Sequence, residues 1–454
     1  MTCRLRTGNF ADRLVSSADA DSCAMDPFYQ ILTPTRAPQI PSHYSHTSLV
    51  QIEDCPRRWW LSHSGYDGLP GGYPEPVSPA AMLGSIVHAT LERFSADYAR
   101  VISTGDATAI QEFRRQFPLR AAVYAERQTF LQRGKTNIRT DLVTLEANVS
   151  VDACISLFKD LIRRNFGPSA IESLLIAARI DNGPKQPWVP SARLPQTEGC
   201  AKVQVPCPAL LPEVDLKIDT PPLRGKIDLA VTEPQGDTLV EYKTGEAKPE
   251  HEEQSLLYAL LWWTVTGRLA RERQLIYASQ ETVKFGPVTL AVMEQEAKRA
   301  AERVKQARNE IANASPRVHL DSERCRLCPV RQLCSPYWGA RETETARWTD
   351  ASLGNGGGDR ESVRWRDLEI ALEDVEALPE GFIAHVGRDQ NKKRIACKLP
   401  PRFRPVSIRS YTIVRLLNVG LVPEGTDALR IVWSVFSEAF WGGASPLETS
   451  DRKV

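Results

Sequence analysis

Apolar residues first recur at helical spacing. Between Ser45 and Ser62, Leu49, Ile52, Trp59 and Trp60 follow the N-cap oxygens of Ser45, Thr47 and Ser48, which predicts one helix. Gly65–Pro79 is rich in glycine and proline and reads as a loop. The helical period resumes over Ala80–Arg100 through Met82, Ile86, Val87, Leu91 and Phe94, and continues over Ala107–Gln132 and Asp141–Phe166. Near Lys202 the period changes to that of strands. Lys202–Val205 and Val214–Ile218 read as short strands. In Leu223–Val231, Ile227, Leu229 and Val231 alternate with Lys226, Asp228 and Ala230, the pattern of a half-buried strand. Turn residues Pro234-Gln235-Gly236-Asp237 send the chain back as strand Thr238–Thr244. A helix (Glu252–Thr266), strands at Gln274–Ser279 and Val283–Leu290, and a long helix (Ala291–Asn313) follow. This order predicts an α/β core preceded by a helical insert at about residues 101–195.

The flanks differ in texture. Residues 1–39 are polar and irregular and are expected to form a disordered tail before a core domain over 40–345. Gly354-Asn355-Gly356-Gly357-Gly358 marks a linker over 346–361. Residues 362–454 hold short alternating runs at Phe382–Val386, Arg394–Lys398, Tyr411–Leu416 and Leu429–Val435, separated by turn signals. They predict a small β-rich accessory module, a barrel being one such arrangement.

Composition narrows the class. The chain has 454 residues and a net charge of +1, so total charge points to no partner. No stretch reaches the ~20 apolar residues of a membrane helix. The first residues carry Arg4, Arg6 and Arg13 without an apolar signal region, so a cytoplasmic location is expected. Ten cysteines in a long chain of this kind favour metal ligation over disulfides where they cluster.

Two constellations carry chemistry. Asp228 lies on the polar parity of its strand, and Glu241 and Lys243, two apart, share a face of the next. Paired through the intervening turn, the two carboxylates make a hard oxygen site suited to Mg²⁺ or Mn²⁺. Such a cation lowers the pKa of a bound water and stabilises charge on a phosphate, and a neighbouring lysine can assist. A solvated strand face with a Glu–Lys pair is the plain alternative. Gln254 and Tyr258 lie four apart on the next helix. His88 lies four residues after Gly84 on the helix Ala80–Arg100 and is a nitrogen donor or an ordinary helical histidine. The second constellation is Cys325-x2-Cys328-x5-Cys334, with Cys55 as fourth thiol in Cys55-Pro56-Arg57-Arg58-Trp59-Trp60. Four thiolates suit tetrahedral zinc and a cubane cluster equally.

These residues resemble the PD-(D/E)xK nuclease superfamily, in the RecB-like branch that includes the Cas4, AddB and Dna2 nucleases. The resemblance covers about His46 to Trp338 and rests on Gly84/His88, Gly225/Asp228, Glu241-Tyr242-Lys243-Thr244-Gly245 and Gln254/Tyr258. It implies a restriction-endonuclease-like mixed sheet flanked by helices. It further implies a metal held by His88, Asp228, Glu241 and the backbone carbonyl of Tyr242, with Lys243, Gln254 and Tyr258 completing the catalytic set. The cysteine pattern of that branch implies a structural [4Fe–4S] cluster on Cys55, Cys325, Cys328 and Cys334, with Zn²⁺ the less favoured occupant. The activity implied is Mg²⁺- or Mn²⁺-dependent hydrolysis of DNA, of exonuclease type. It would act on single strands or free ends in repair, recombination or the processing of mobile-element and defence DNA. The alternative is a non-catalytic nucleic-acid-binding or scaffold subunit that keeps the fold. No Walker A pattern is present, which leaves room for a helicase or other protein partner.

Two basic stretches suit contact with nucleic acid. Arg114, Arg115, Arg120, Arg127, Arg133, Lys135 and Arg139 interleave with Phe113, Phe117, Tyr124 and Phe130, which suits a phosphate track or a solvated helix face. Lys392-Lys393-Arg394, Arg402, Arg404 and Arg409 make the last module basic, which suits single-strand binding or protein docking.

Overall fold

Proline and local capping set the first boundary. A computed structural model describes residues 29–166, 209–343 and 364–442, apart from 70, 103–105, 141, 378–382, 389–393, 399–412, 425–427 and 435–436. The single helix expected over Ser45–Ser62 is two, α1 (His46–Asp54) and α2 (Pro56–His63). Ser45 and Ser48 cap α1 reciprocally, each side-chain oxygen taking the other's backbone N–H, at 3.1 and 2.9 Å. Cys55 between the helices is extended, with φ −160° and ψ 105°. Pro56 causes the break, because the residue before a proline is driven out of the helical region.

The chain divides into two units, a larger one over Pro34–Cys334 and a smaller one made of the N-terminal residues up to Thr33 with everything from Ser335 on. In the larger unit, α3 (Pro79–Ile102), α4 (Ala107–Gln116), α5 (Leu119–Asn137), α6 (Leu142–Asn148) and α7 (Val151–Phe166) precede the sheet. The end of the expected insert near residue 195 and the strand expected at Lys202–Val205 lie outside the described residues. The sheet follows as β1 (Ala209–Asp219), β2 (Pro222–Thr232) and β3 (Asp237–Lys243). After it come α8 (Pro249–Thr266), β4 (Ala270–Tyr277), β5 (Val283–Phe285), α9 (Leu290–Ile311) and the short α10 (Ser322–Arg326). The strands lie in chain order, antiparallel except for the parallel pair β3–β4 that α8 bridges. This is the restriction-endonuclease-like mixed α/β core that the sequence led us to expect.

Both faces of the sheet are buried. Leu229, Val240, Tyr242 and Ile276 join one apolar core with residues of α3, α5 and α7. Ile227, Ala230 and Leu239 join the other, with Leu49 and Ile52 of α1, Leu257 and Leu261 of α8, and Met293 and Val304 of α9. The regular alternation read over Ile227, Leu229 and Val231 therefore fails. Ile227 and Leu229, two apart, enter opposite cores, so the strand is irregular at Asp228. The reason is a side chain in the ladder: Asp228 Oδ2 accepts the Tyr242 N–H at 2.7 Å, and the β2–β3 pairing runs only over Leu229–Val231.

The smaller unit holds α11 (Ser335–Thr343) and strands β6 (Arg364–Ala377), β7 (Ile383–Arg388), β8 (Arg394–Lys398), β9 (Ile413–Glu424), β10 (Ala428–Val432) and β11 (Glu438–Gly442). Strands β6, β7 and β8 pair antiparallel in turn, β8 pairs parallel with β10, and β10 returns through β9 to β6. The ring closes, with β11 added to β9. Strands β6 and β11 were not foreseen. The Gly-rich stretch at 354–358 and residues 1–28 lie outside the described residues. Part of the segment read as tail makes backbone pairs: Ile31 N–H reaches Trp441 O at 2.6 Å, and Thr35 N–H reaches Gly65 O at 2.9 Å.

Buried Arg139 ties the helical region of the larger unit to its last segment. Its guanidinium donates to Pro74 O at 2.8 Å and to Pro329 O at 3.1 Å, and lies over the Tyr73 ring. Each such bond from a charged donor contributes roughly 1.5–3 kcal/mol, so Arg139→Ala is expected to cost about 3 kcal/mol or more. Urea unfolding checks this; an unchanged midpoint would show that the two carbonyls find other donors.

Candidate active site

The site is assembled at the β2–β3 hairpin, between α3 on one side and α8 on the other. Two glycines set the distances. A Cβ at Gly225 would stand 2.7 Å from side-chain carbons of both Leu261 and Tyr258, so its absence lets α8 close on β2. A Cβ at Gly84 would stand 2.7 Å from Thr244 Oγ1, so α3 approaches the end of β3 only because that position is bare. At Gly245 nothing lies within 4 Å of a Cβ, so that position is open.

Asp228 and Glu241 are brought together. Glu241 is 7 % exposed, Oε1 accepts from Lys243 Nζ at 2.9 Å, and Oε2 is buried without a hydrogen-bond partner. Burial first, and the Asp228 charge second, hold the Glu241 carboxyl above the usual carboxylate range, while Lys243 opposes them. Lys243 Nζ also donates to Gln254 Oε1 at 2.7 Å, and Gln254 Nε2 donates to Tyr258 Oη at 2.7 Å. The chain Glu241–Lys243–Gln254–Tyr258 thus links β3 to α8, and the i,i+4 spacing of the last two makes it continuous. His88 Nδ1 lies 4.0 Å from Asp228 Oδ2, half-open to solvent at 36 %. Tyr242 buries its ring in the core on the α3 side and gives its N–H to Asp228.

Among the described residues, no three His, Cys, Asp or Glu side chains are gathered closely enough to hold a metal ion by themselves. The donor chemistry at the hairpin nevertheless fits a hard divalent cation. A buried carboxylate oxygen has no partner, a second carboxylate sits close enough to raise its neighbour's pKa, and Mg²⁺ completes a shell with water.

A third carboxylate at the site escaped the sequence reading. Glu213 of β1 falls opposite Asp228, where the β1–β2 pairing skips from Pro212↔Leu229 to Val214↔Ile227. Its φ is +53°, a left-handed conformation that costs a non-glycine residue energy. Burial and the Asp228 charge push its carboxyl up to about 8. Lys226 Nζ ties it down at 2.5 Å and reaches Glu92 at 3.3 Å. A bulge in a neighbouring strand has no local sequence signature, so spacing did not reveal it; a φ-strained glutamate directly before Val214 left no pattern.

The four cysteines share the larger unit. Arg57 N–H donates to Arg317 O at 3.2 Å, His319 Nδ1 lies 2.8 Å from Asp54 O, and Arg324 pairs with Asp54 at 3.2 Å. These contacts bring the α1–α2 junction against the chain before Cys325. Cys55 is close enough to raise the Cys325 thiol pKa, and Cys334 that of Cys328, although burial is the larger cause for both. Cys328 is pushed up to about 12. Among the described residues, the thiols are not gathered into a single metal-holding set.

Three of the seven basic residues in the run Arg114–Arg139 make contacts within the chain. Arg120 pairs with Asp152, Arg127 donates to Val149 O at 3.1 Å and to Glu146 Oε1 at 3.1 Å, and Arg139 is the brace described above. Phe117 is buried and Phe113 and Phe130 pack on the same core, leaving Tyr124 exposed at 55 %.

The family model described as the PD-(D/E)XK nuclease superfamily matches residues 43–335, from just before α1 to just past Cys334. No curated protein matches the chain.

Glu213 and Glu241 predict a pH signature. A carboxyl whose folded pKa exceeds its ordinary value of 4.5 contributes stability at low pH that is lost as pH rises through the folded pKa, here about 8 for Glu213. In chelator, the melting temperature should therefore fall between about pH 5 and about pH 8, and Mn²⁺ should restore part of the loss by binding the ionised carboxylates. A melting temperature that ignores Mn²⁺ at the upper pH would count against a cation at these residues.

Proposed function

The chain belongs to the PD-(D/E)XK nuclease superfamily, and on that premise we propose that it is a divalent-metal-dependent deoxyribonuclease. We place it in the RecB-like branch, as an exonuclease that hydrolyses the phosphodiester bonds of single strands or free ends. The processes it serves in this reading are DNA repair, recombination or the processing of mobile-element and defence DNA. The observation that carries the reading is the buried Glu241 carboxylate with one unpaired oxygen beside Asp228.

In this reading Asp228, Glu241, His88 and the Tyr242 carbonyl hold Mg²⁺ or Mn²⁺. When bound, the cation supplies Lewis acidity at the attacking water and at the phosphate. The protein's own groups do the rest. The Tyr242 N–H fixes the Asp228 carboxylate at 2.7 Å, so it cannot swing away from the hairpin. Lys243 is held by Glu241 and Gln254 with its third N–H direction left for water or a non-bridging phosphate oxygen. There it aligns the nucleophile and neutralises charge that grows in the transition state. Gln254 donates to Tyr258, which fixes the amide so that its oxygen, not its nitrogen, faces the ammonium. A cation beside the unpaired Glu241 oxygen would give that atom the partner it lacks.

We further propose that Cys55, Cys325, Cys328 and Cys334 hold a structural [4Fe–4S] cluster, with zinc as the alternative occupant. Support comes from the hydrogen bonds that bring the α1–α2 junction to the chain before Cys325.

Lys243→Ala is expected to abolish cleavage of labelled DNA while leaving DNA binding within a few-fold of wild type; full cleavage at matched protein and Mn²⁺ would sink the assignment. Asp228→Ala should also remove Mn²⁺ binding in calorimetric titration, and an unchanged affinity would place the metal elsewhere.

For the cysteines, protein purified without oxygen should be brown, absorb broadly near ~400 nm and contain about four irons per chain. Cys55→Ala and Cys328→Ala should lose that colour equally. Retained iron in Cys55→Ala would assign the fourth ligand to another residue, and a colourless protein with one zinc would replace the cluster.

A further inference from the structure

The last residues of β3 and β4 stand side by side, and α8 gives each of them a partner. We propose, on the nuclease reading of this site, that His251 of α8 is a further contact for the nucleic-acid strand. It donates from Nε2 to a non-bridging oxygen of the phosphodiester next to the one being cut.

Strands β3 and β4 run parallel and end together, with Lys243 beside Tyr277. Val240, Tyr242, Ile276 and Ala278 turn to the core shared with α3, so Lys243 and Tyr277 both turn to α8. Two rungs form there. Lys243 Nζ donates to Gln254 Oε1 at 2.7 Å, and Tyr277 Oη lies 3.0 Å from His251 Nδ1. The His251 and Tyr277 rings also pack, with centroids 5.8 Å apart. His251 and Gln254 are three residues apart on α8, so they occupy one face of it. The His251 rung therefore stands beside the Lys243 rung, one strand spacing (~4.8 Å) along the end of the sheet. This is the carboxyl end of a parallel pair, the edge at which open α/β sheets take ligands. The chain leaving β3 is open there, with nothing within 4 Å of a Cβ at Gly245.

The rung to Tyr277 fixes which ring nitrogen carries the proton. Tyr277 is 1 % exposed, and burial holds its phenol above the usual range, so the hydroxyl keeps its proton. That hydroxyl makes no other hydrogen bond among the described residues. A buried O–H without an acceptor is costly, so Tyr277 donates to Nδ1 and the imidazole proton lies on Nε2. Nε2 has no partner among the described residues, and His251 is half-buried. Burial first, then the charges of Lys243 and Lys248, hold the imidazole below its usual range, with Glu250 opposing. The ring is thus a neutral donor in a positive field. A neighbouring lysine cannot satisfy an N–H, but an anionic acceptor can, and the same field draws it in. Lys243 is committed to the scissile phosphate, which leaves the next phosphate of the strand for His251. Such a contact sets the register of the strand without reading its sequence.

The test removes the ring without stranding the hydroxyl. Tyr277→Phe is the parent, and Tyr277→Phe/His251→Ala is compared with it, since deleting both partners of a buried bond is nearly neutral for the fold. In chelator, the full-length double variant should bind a fluorescent oligothymidylate of about twenty nucleotides roughly tenfold more weakly than the parent. The log–log salt slope should not change, because a neutral donor releases no counterion. Tyr277→Phe/His251→Gln, which keeps an N–H donor, should bind within a few-fold of the parent. With Mn²⁺, a single methylphosphonate is then moved through the oligothymidylate and cutting at each linkage is resolved. In the parent it should depress cutting at the linkage on one side of it by roughly tenfold, and in His251→Ala it should add less than about twofold. Equal penalties in the two chains, or unchanged oligothymidylate affinity, overturn the proposal, and His251 then serves only to satisfy Tyr277. A chain that cuts no DNA but shows the binding loss at constant slope sinks the nuclease reading and leaves the His251 contact standing.

Discussion

Strand β3 carries two buried carboxylates, and they are treated oppositely. Asp237, at its start, is fully satisfied: Arg268 donates to both oxygens, at 2.5 and 2.6 Å, and Trp262 Nε1 adds a third bond at 3.0 Å. Glu241, four residues on, receives one bond from Lys243 and keeps one oxygen bare. A buried carboxyl oxygen left without a partner is costly to a fold. The same few elements that satisfy Asp237 could have offered Glu241 an arginine; they offer a lysine already shared with Gln254. The rest of the larger unit follows from holding that carboxylate in place. Gly225 admits α8, Gly84 admits α3, and the irregularity at Asp228 turns a second acid toward the first.

How much of this the sequence disclosed depends on the range of each signal. Glu241, Lys243, Gln254 and Tyr258 follow the two-residue and four-residue repeats of strand and helix, so spacing alone places them on shared faces. Glu213 depends on a bulge in a different strand from the one it serves, and no window of sequence contains both. The regular face read through Ile227, Leu229 and Val231 fails at the one residue whose side chain replaces a backbone partner, which periodicity cannot express. Cys55-Pro56 held a readable helix break that the apolar spacing across it concealed. Strand β6 was hidden differently: its acids and apolar residues mix without clean alternation because two register shifts interrupt it.

Charge in this chain is used locally. On α5, Arg127 donates to the carbonyls of Glu146 and Val149, at and just beyond the end of α6, and so ties the two helices together. Near the cysteines, the Arg324–Asp54 pair joins segments far apart in sequence. A net charge of +1 is the sum of such uses and says little about any one surface.

The pairing of Ile31 with Trp441 has a consequence in time. The larger unit is one contiguous run and is complete once Cys334 has been synthesised. The smaller unit is split, with its first residues made before the larger unit and its last strand about a hundred residues after it. Domains generally fold as they leave the ribosome, N-terminal first. On a growing chain the segment around Ile31 must therefore wait, unpaired, until β11 emerges. Ribosomal pausing within the final strands would prolong that interval, and the exposed segment is where a chaperone or a protease would meet the nascent protein.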